Sequence, residues 1–227
     1  MNIYQSILKV QMNELGKSLR IFWSIWLLIL IASYTLATLW NIDQFYFVSY
    51  IPALVWVAIY SFKAVNSDLH YVLQLGASRK QLIFAAAVLV AGLSFLMTGL
   101  HFLFTVFFST LAENIAAIQP ISLISWAASD SLNIFHSLVL DLISSIFIGC
   151  LMVFFASLHV RFGKLPLYLA GAAVLVSLPV PYIHEHLFEW IMHVRSGEIL
   201  LSLLVFLLAG MACIYLSKQL LRKASLR

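Results

Sequence analysis

The residues with the most obvious potential for chemistry lie in the last fifth of the chain. His186, Glu189 and His193 follow one another at spacings of three and four residues. On a helix this spacing places two imidazoles and a carboxylate on one face, and such groups are able to ligate zinc. The HExxH pattern of zinc hydrolases is missing. We therefore treat the trio as a weak metal candidate and expect it to form a solvated or headgroup-facing surface.

Asp141 is the second candidate, because it is the only acidic residue deep within an apolar run. A charged side chain at the centre of a membrane helix costs roughly 2.5 to 3.5 kcal/mol on insertion scales, so Asp141 should face the protein interior or a wet cavity. There it would bind a cationic substrate, relay a proton, pair with a partner subunit, or form a structural contact with nearby hydroxyl groups or His136. The sequence leaves these alternatives open.

The elements that must position these residues are membrane helices. Hydrophobic residues make up 63% of the 227 residues and charged residues only 10%, which excludes an ordinary soluble domain. A membrane span needs about 20 apolar residues, and the loops left over are too short to form a separate domain. The sequence predicts a single all-α polytopic membrane domain, 1–227, with six transmembrane helices at approximately 21–40, 45–62, 82–108, 134–158, 165–178 and 199–217.

The distribution of basic residues predicts the topology. Twelve of the 13 Lys and Arg residues fall on one side of the six-span pattern, and only Arg195 falls on the other. Since short basic loops resist translocation, both termini should be cytoplasmic in a plasma membrane of bacterial type. Residues 1–20 are amphipathic and predict an interfacial helix, whereas residues 218–227 form a basic tail. Topology and anionic lipid explain the net charge of +4 better than nucleic-acid binding does.

A short apolar segment between spans two and three requires a partner surface. Leu69, Val72 and Leu73 share one face of a short predicted helix, although this segment lies outside the bilayer. Gly76 is placed to end that helix in a left-handed conformation, and Ser78 to cap the next one. The apolar face suits docking into a groove on a soluble partner, or resting on lipid.

The run from Leu73 to Leu82, LQLGASRKQL, resembles the cytoplasmic loop of small ABC type-2 exporter permeases of the type V fold. In that family the loop contains a coupling helix that contacts the ATPase. The resemblance implies a permease subunit that assembles with a second permease copy or a homologue and with a pair of P-loop ATPase subunits, which bind the ATP and Mg²⁺. It further implies a substrate path through the spans, with Asp141 as a candidate, and an ATPase-coupling set consisting of Leu69, Val72, Leu73, Gly76, Ser78 and Arg79.

Other functional classes have weaker support. Gly16, Lys17 and Ser18 end a P-loop pattern whose first glycine is replaced by Gln11, so we expect no ATP hydrolysis and no cofactor in this chain. An ion-coupled secondary transporter or channel using Asp141 is the main alternative, but such proteins normally carry paired charges or helix breaks in matching halves. A membrane-embedded enzyme would need a nucleophile or metal motif, and the sequence has none that is convincing.

Overall fold

The computed structural model describes residues 3–40, 44–48, 50–74, 76–112, 117–121, 134–177 and 199–222. Within these residues the chain forms seven helices and one pair of short strands. In chain order they are α1 (Ile3–Leu39), β1 (Gln44–Val48), α2 (Tyr50–Asn66), α3 (Leu69–Gln74), α4 (Arg79–Ala112), β2 (Ala117–Ile121), α5 (Ile134–Phe162), α6 (Leu165–Ser177) and α7 (Ile199–Arg222).

The helices confirm a helical protein suited to a membrane. Among the described residues, four helical segments are long and apolar enough to cross a bilayer: Leu15–Ser33, Arg79–Phe107, Ser137–Phe162 and Leu203–Arg222. Helices α2 and α6 have 17 and 13 residues, fewer than the roughly 20 that a perpendicular span requires. The six-span count therefore stays a prediction.

Helix α1 corrects the prediction of a separate interfacial helix at residues 1–20. A single helix of 37 residues runs from Ile3 to Leu39, and the sequence around residue 20 contains no proline to break it. Its first half packs on the protein: Ile7 and Leu15 are buried, and the Gln11 Nε2 amide donates to the Ala64 carbonyl of α2 at 3.2 Å. The apolar stripe of this helix is therefore at least partly covered by protein.

The start of the second predicted span is also corrected. Residues 44–48 form β1, which pairs in parallel with β2 in a segment predicted to be an outer loop. The aromatic and β-branched residues of β1 favour a strand. Helix α2 then begins at Tyr50 and carries Pro52 in its first turn, where the missing amide hydrogen is tolerated.

Helix α5 occupies the centre of the packing and contacts α2, α4, α6 and α7. Gly149 lies at a point of close contact between α5 and two of these helices. A Cβ atom on this glycine would lie 2.5 Å from Val90 Cγ1 of α4 and 3.1 Å from Ser61 Oγ of α2. The absence of a side chain at Gly149 therefore lets the three helices pack closely, as small residues commonly do in membrane proteins.

Candidate functional site

Gly76 and Ala77, which lie between α3 and α4, bond back to the end of α3. Gly76 has a left-handed φ of 78°, and its amide donates to the Leu73 carbonyl at 3.0 Å, while the Ala77 amide donates to the Val72 carbonyl at 3.2 Å. These two bonds form a Schellman motif, and Ala77 packs in the same apolar cluster as Val72. The predicted left-handed end of the short helix is confirmed.

Helix α4 begins with a capping box. The Gln81 amide donates to Ser78 Oγ at 3.3 Å, and the Ser78 amide donates to Gln81 Oε1 at 2.7 Å. Each side chain thus satisfies a backbone amide that the first helical turn leaves without a partner. The prediction that Ser78 caps this helix is confirmed, and the two caps together hold α3 at a defined angle to α4.

The apolar face of α3 packs on this chain itself, whereas the sequence analysis expected it to dock into a groove on a soluble partner or to rest on lipid. Leu69 and Val72 are 2% and 0% exposed. They pack with Ile7 of α1 and Leu82 of α4, and Leu73 lies partly buried against the same cluster. Because these side chains are already desolvated, they position α3 and are not available to line a partner's groove.

The exposed face of α3 carries different residues, which the sequence analysis did not single out. His70, Tyr71 and Gln74 are exposed, and half of the surface of Tyr71 is accessible. They lie on the side of α3 opposite the buried Leu69 and Val72 and the partly buried Leu73. The polar side of the helical pattern was therefore the signal that could have identified them. An aromatic residue flanked by hydrogen-bonding groups is a common composition for a protein contact surface.

Arg79 connects this segment to the last helix. Its Nη1 atom donates to the Leu221 carbonyl at 2.8 Å, near the carboxyl end of α7. A cation at that position satisfies a terminal carbonyl and interacts favourably with the helix dipole. The start of α4 and the end of α7 are therefore held together, so a displacement of α3 would be transmitted to both helices.

Replacing Gly76 with alanine tests whether the left-handed turn sets the position of α3. No atom lies within 4 Å of the added methyl group, so the cost is the backbone strain alone, about 1 to 2 kcal/mol. Gly92→Ala is the matched control, since it also meets no atom and should gain helix propensity. We expect a lower thermal unfolding midpoint for Gly76→Ala only. Equal midpoints for the two variants would contradict the assignment.

Asp141 belongs to a buried polar cluster between α2, α4 and α5. Its backbone carbonyl accepts a hydrogen bond of 2.8 Å from the Tyr50 hydroxyl, which also lies 2.8 Å from Thr98 Oγ1. Ser145 Oγ donates to Ser94 Oγ at 3.1 Å, which joins α5 to α4 a turn away. These bonds satisfy polar groups that would be costly to leave unpaired in an apolar environment.

The side chain of Asp141 faces a histidine on another helix. Asp141 Oδ2 lies 3.8 Å from His101 Nδ1, and the two side chains are only 5% and 7% exposed. The ring of His101 also packs on that of Tyr50, with 4.9 Å between their centroids. The sequence analysis named nearby hydroxyl groups or His136 as structural contacts of Asp141 and did not single out His101; the side chain of His136 lies outside those that the structure describes. The pair of Asp141 and His101 is able to exchange a proton, or to bind α4 and α5 as a structural contact.

The metal candidates His186, Glu189 and His193 lie outside the described residues. Within the part of the chain that the structure describes, no group of three or more His, Cys, Asp and Glu side chains is arranged to hold a metal ion. The described sites are thus the α3 segment and the Asp141 cluster. Comparison with protein-family models, with curated proteins and with solved structures finds no match to this chain.

Proposed function

We propose that this protein is the membrane-spanning permease subunit of an ATP-driven exporter, and that α3 is its contact with a separate ATPase. The observation that carries the proposal is the construction of α3. It is a short helix that ends in a Schellman motif directly before the capping box of α4, with Leu69 and Val72 buried in the protein and Tyr71 half exposed. A rigid, partly exposed stub of this kind is suited to receive a force from a partner.

The contacts of α3 provide a route for that force. Val72 packs against Leu82 in α4 and Ile7 in α1, while Arg79 bonds to the Leu221 carbonyl in α7. ATP and Mg²⁺ would bind in the partner ATPase, whose closure would move α3 together with these three helices. In this scheme Leu69, Val72, Leu73, Gly76, Ser78 and Arg79 position the contact surface, and His70, Tyr71 and Gln74 form it.

Helix α6 supports the further proposal of a second permease copy. None of its 13 residues, all of which the structure describes, is buried, and Leu165, Leu169 and Leu175 are each more than 60% exposed. An isolated helix of this length is marginal in stability. Packing against another permease in the plasma membrane would cover this surface, with both termini of each copy in the cytoplasm.

The alternative is an ion-coupled transporter or channel, and the observation that favours it is the close approach of Asp141 and His101. Two buried titratable groups on neighbouring helices form a possible proton relay. Such a protein would need no ATPase. The two functions therefore differ in what remains bound to the purified protein.

Substituting Tyr71 with glutamate tests the ATPase contact. We expect the tagged wild-type protein, purified from native membranes in mild detergent, to retain a stoichiometric P-loop ATPase that mass spectrometry identifies. Since an interfacial aromatic residue commonly contributes 2 kcal/mol or more, Tyr71→Glu should reduce retention at least about thirtyfold. Leu73→Glu and Arg79→Glu are less specific tests, because these residues also hold the fold.

The control is Phe162→Glu, which adds the same charge at an exposed aromatic residue at the end of α5. It should retain the ATPase as the wild type does, and both variants should keep the wild-type unfolding midpoint. A folded wild-type preparation without any ATPase would contradict the exporter proposal. Retention of the ATPase by Tyr71→Glu at the wild-type level would contradict the role of α3.

A further inference from the structure

A groove of about 490 Å³ opens between α4, α5 and α7. Its walls are mainly apolar and include Phe84, Ile146, Leu207 and Met211, while Lys80 and Lys218 complete the lining. This volume is within the range of sites that hold a ligand of several hundred daltons. The groove is distinct from both the exposed face of α3 and the Asp141 cluster.

The two lysines lie at the same end of the groove. Lys80 is in the first turn of α4 and Lys218 is in the last turns of α7. The bond from Arg79 Nη1 to the Leu221 carbonyl holds these two helix ends together. Both lysine side chains are exposed. The groove is therefore amphipathic along its length, with a cationic end and an apolar remainder.

The groove, from its apolar end to the lysines, is about as long as one leaflet of a bilayer. Along α7 the lining runs from Leu207 to Lys218, and this separation corresponds to about 16 Å of helix. Half of a hydrocarbon core is about 15 Å. A chain seated along the groove would place its polar end beside the lysines and its apolar tail near the middle of the membrane.

We propose that this groove binds an anionic phospholipid of the inner leaflet. One acyl chain lies along Phe84, Ile146 and Met211, and the phosphate pairs with Lys80 and Lys218. Charge selects the occupant, since two ammonium groups beside a hydrocarbon-lined groove favour an anionic headgroup over a zwitterionic one. The site is independent of the exporter proposal, because it requires neither an ATPase nor a cargo.

The test is native mass spectrometry of the purified protein in mild detergent after incubation with dioleoyl phosphatidylglycerol or dioleoyl phosphatidylcholine. We expect one phosphatidylglycerol to be retained and phosphatidylcholine to be lost. Replacing both lysines with glutamine should weaken phosphatidylglycerol binding about thirtyfold. Each basic residue near an anionic headgroup raises the affinity about fivefold, and the two effects multiply. Lys9→Gln with Lys17→Gln is the matched control, since these exposed lysines lie on α1 and the variant should bind as the wild type does.

A second variant separates the apolar groove from surface charge. Met211→Trp adds bulk to a groove-lining position that is 61% exposed, so folding should be preserved while the acyl chain is displaced. Equal retention of both lipids, unchanged binding by the lysine variant, or an equal loss in the α1 control would overturn the proposal. So would crosslinks between copies that the Met211→Cys variant forms and the wild type, with Cys150 and Cys213, does not, because they would identify a second chain as the occupant.

Discussion

Replacing His101 with leucine is expected to destabilise the helix packing by about 1 to 3 kcal/mol. His101 Nδ1 lies 3.8 Å from Asp141 Oδ2, and both side chains are almost fully buried. Removing the imidazole takes one polar neighbour from the buried Asp141 side chain, and the loss of such a neighbour in an apolar environment is costly. The thermal unfolding midpoint of the purified protein in mild detergent measures the effect.

The double variant His101→Leu with Asp141→Val is the control. Replacing both members of a buried polar pair with apolar residues removes the stranded group, so we expect most of the lost stability to return. A double variant less stable than either single variant would contradict the pairing. An unchanged midpoint for His101→Leu alone would contradict it as well.

The same double variant distinguishes the structural role of Asp141 from the transport roles. A stable double variant that still exports its cargo would assign Asp141 to packing between α4 and α5. A stable double variant that binds its ATPase but does not export would place Asp141 in the substrate path. If the wild-type protein has no ATPase and the double variant abolishes ion flux, the ion-coupled alternative is favoured instead.

Replacing Gly149 with alanine is the second large expected effect. The new methyl carbon would lie 2.5 Å from Val90 Cγ1 and 3.1 Å from Ser61 Oγ, distances too short for ordinary contact. Val90 is fully buried and its β-branched side chain has few alternative rotamers. Overpacking of this kind costs about 1 to 3 kcal/mol. We expect a lower unfolding midpoint and a smaller yield of folded protein.

Two further variants make the Gly149 result specific. Val90→Ala removes the two methyl groups that the new carbon would meet. The double variant Gly149→Ala with Val90→Ala should therefore lose less stability than the two single losses added together. Gly99→Ala adds a methyl group where no atom lies within 4 Å, and it should be tolerated. Strict additivity between Gly149→Ala and Val90→Ala would show that the three helices do not meet at this point.

Local features of the α3 segment were predictable because they depend on neighbours a few residues apart. Gly76 was expected to end a helix and Ser78 to begin one, and the structure has a Schellman motif and a capping box at these residues. The same spacing predicted that Leu69 and Val72 share a face. What covers that face was not predictable, because Ile7 approaches it from a helix some sixty residues earlier in the chain.

The lengths and first residues of helices were predicted less well where the local sequence is compatible with two different secondary structures. An amphipathic stretch next to an apolar run is compatible with two helices joined by a bend or with one long helix. In α1 the helix is continuous, and Ile7 and Leu15 in its first half are buried against the protein. Residues 44–48 are apolar enough to begin a membrane helix, but they pair with residues 117–121 as strands. In both cases distant contacts decided between the local alternatives.

The sequence by itself determined that this protein is helical and suited to a membrane, since its continuous apolar runs are about as long as a spanning helix needs and a helix satisfies its own backbone groups. It also determined the helix caps, which are local. The tertiary structure decided which side of α3 is exposed, that His101 lies beside Asp141, and that Arg79 bonds to Leu221 across 142 positions. These relations depend on how whole helices pack against one another. Packing depends on the shapes of side chains that are distant in the sequence, and the spacing of residues along one helix carries no information about it.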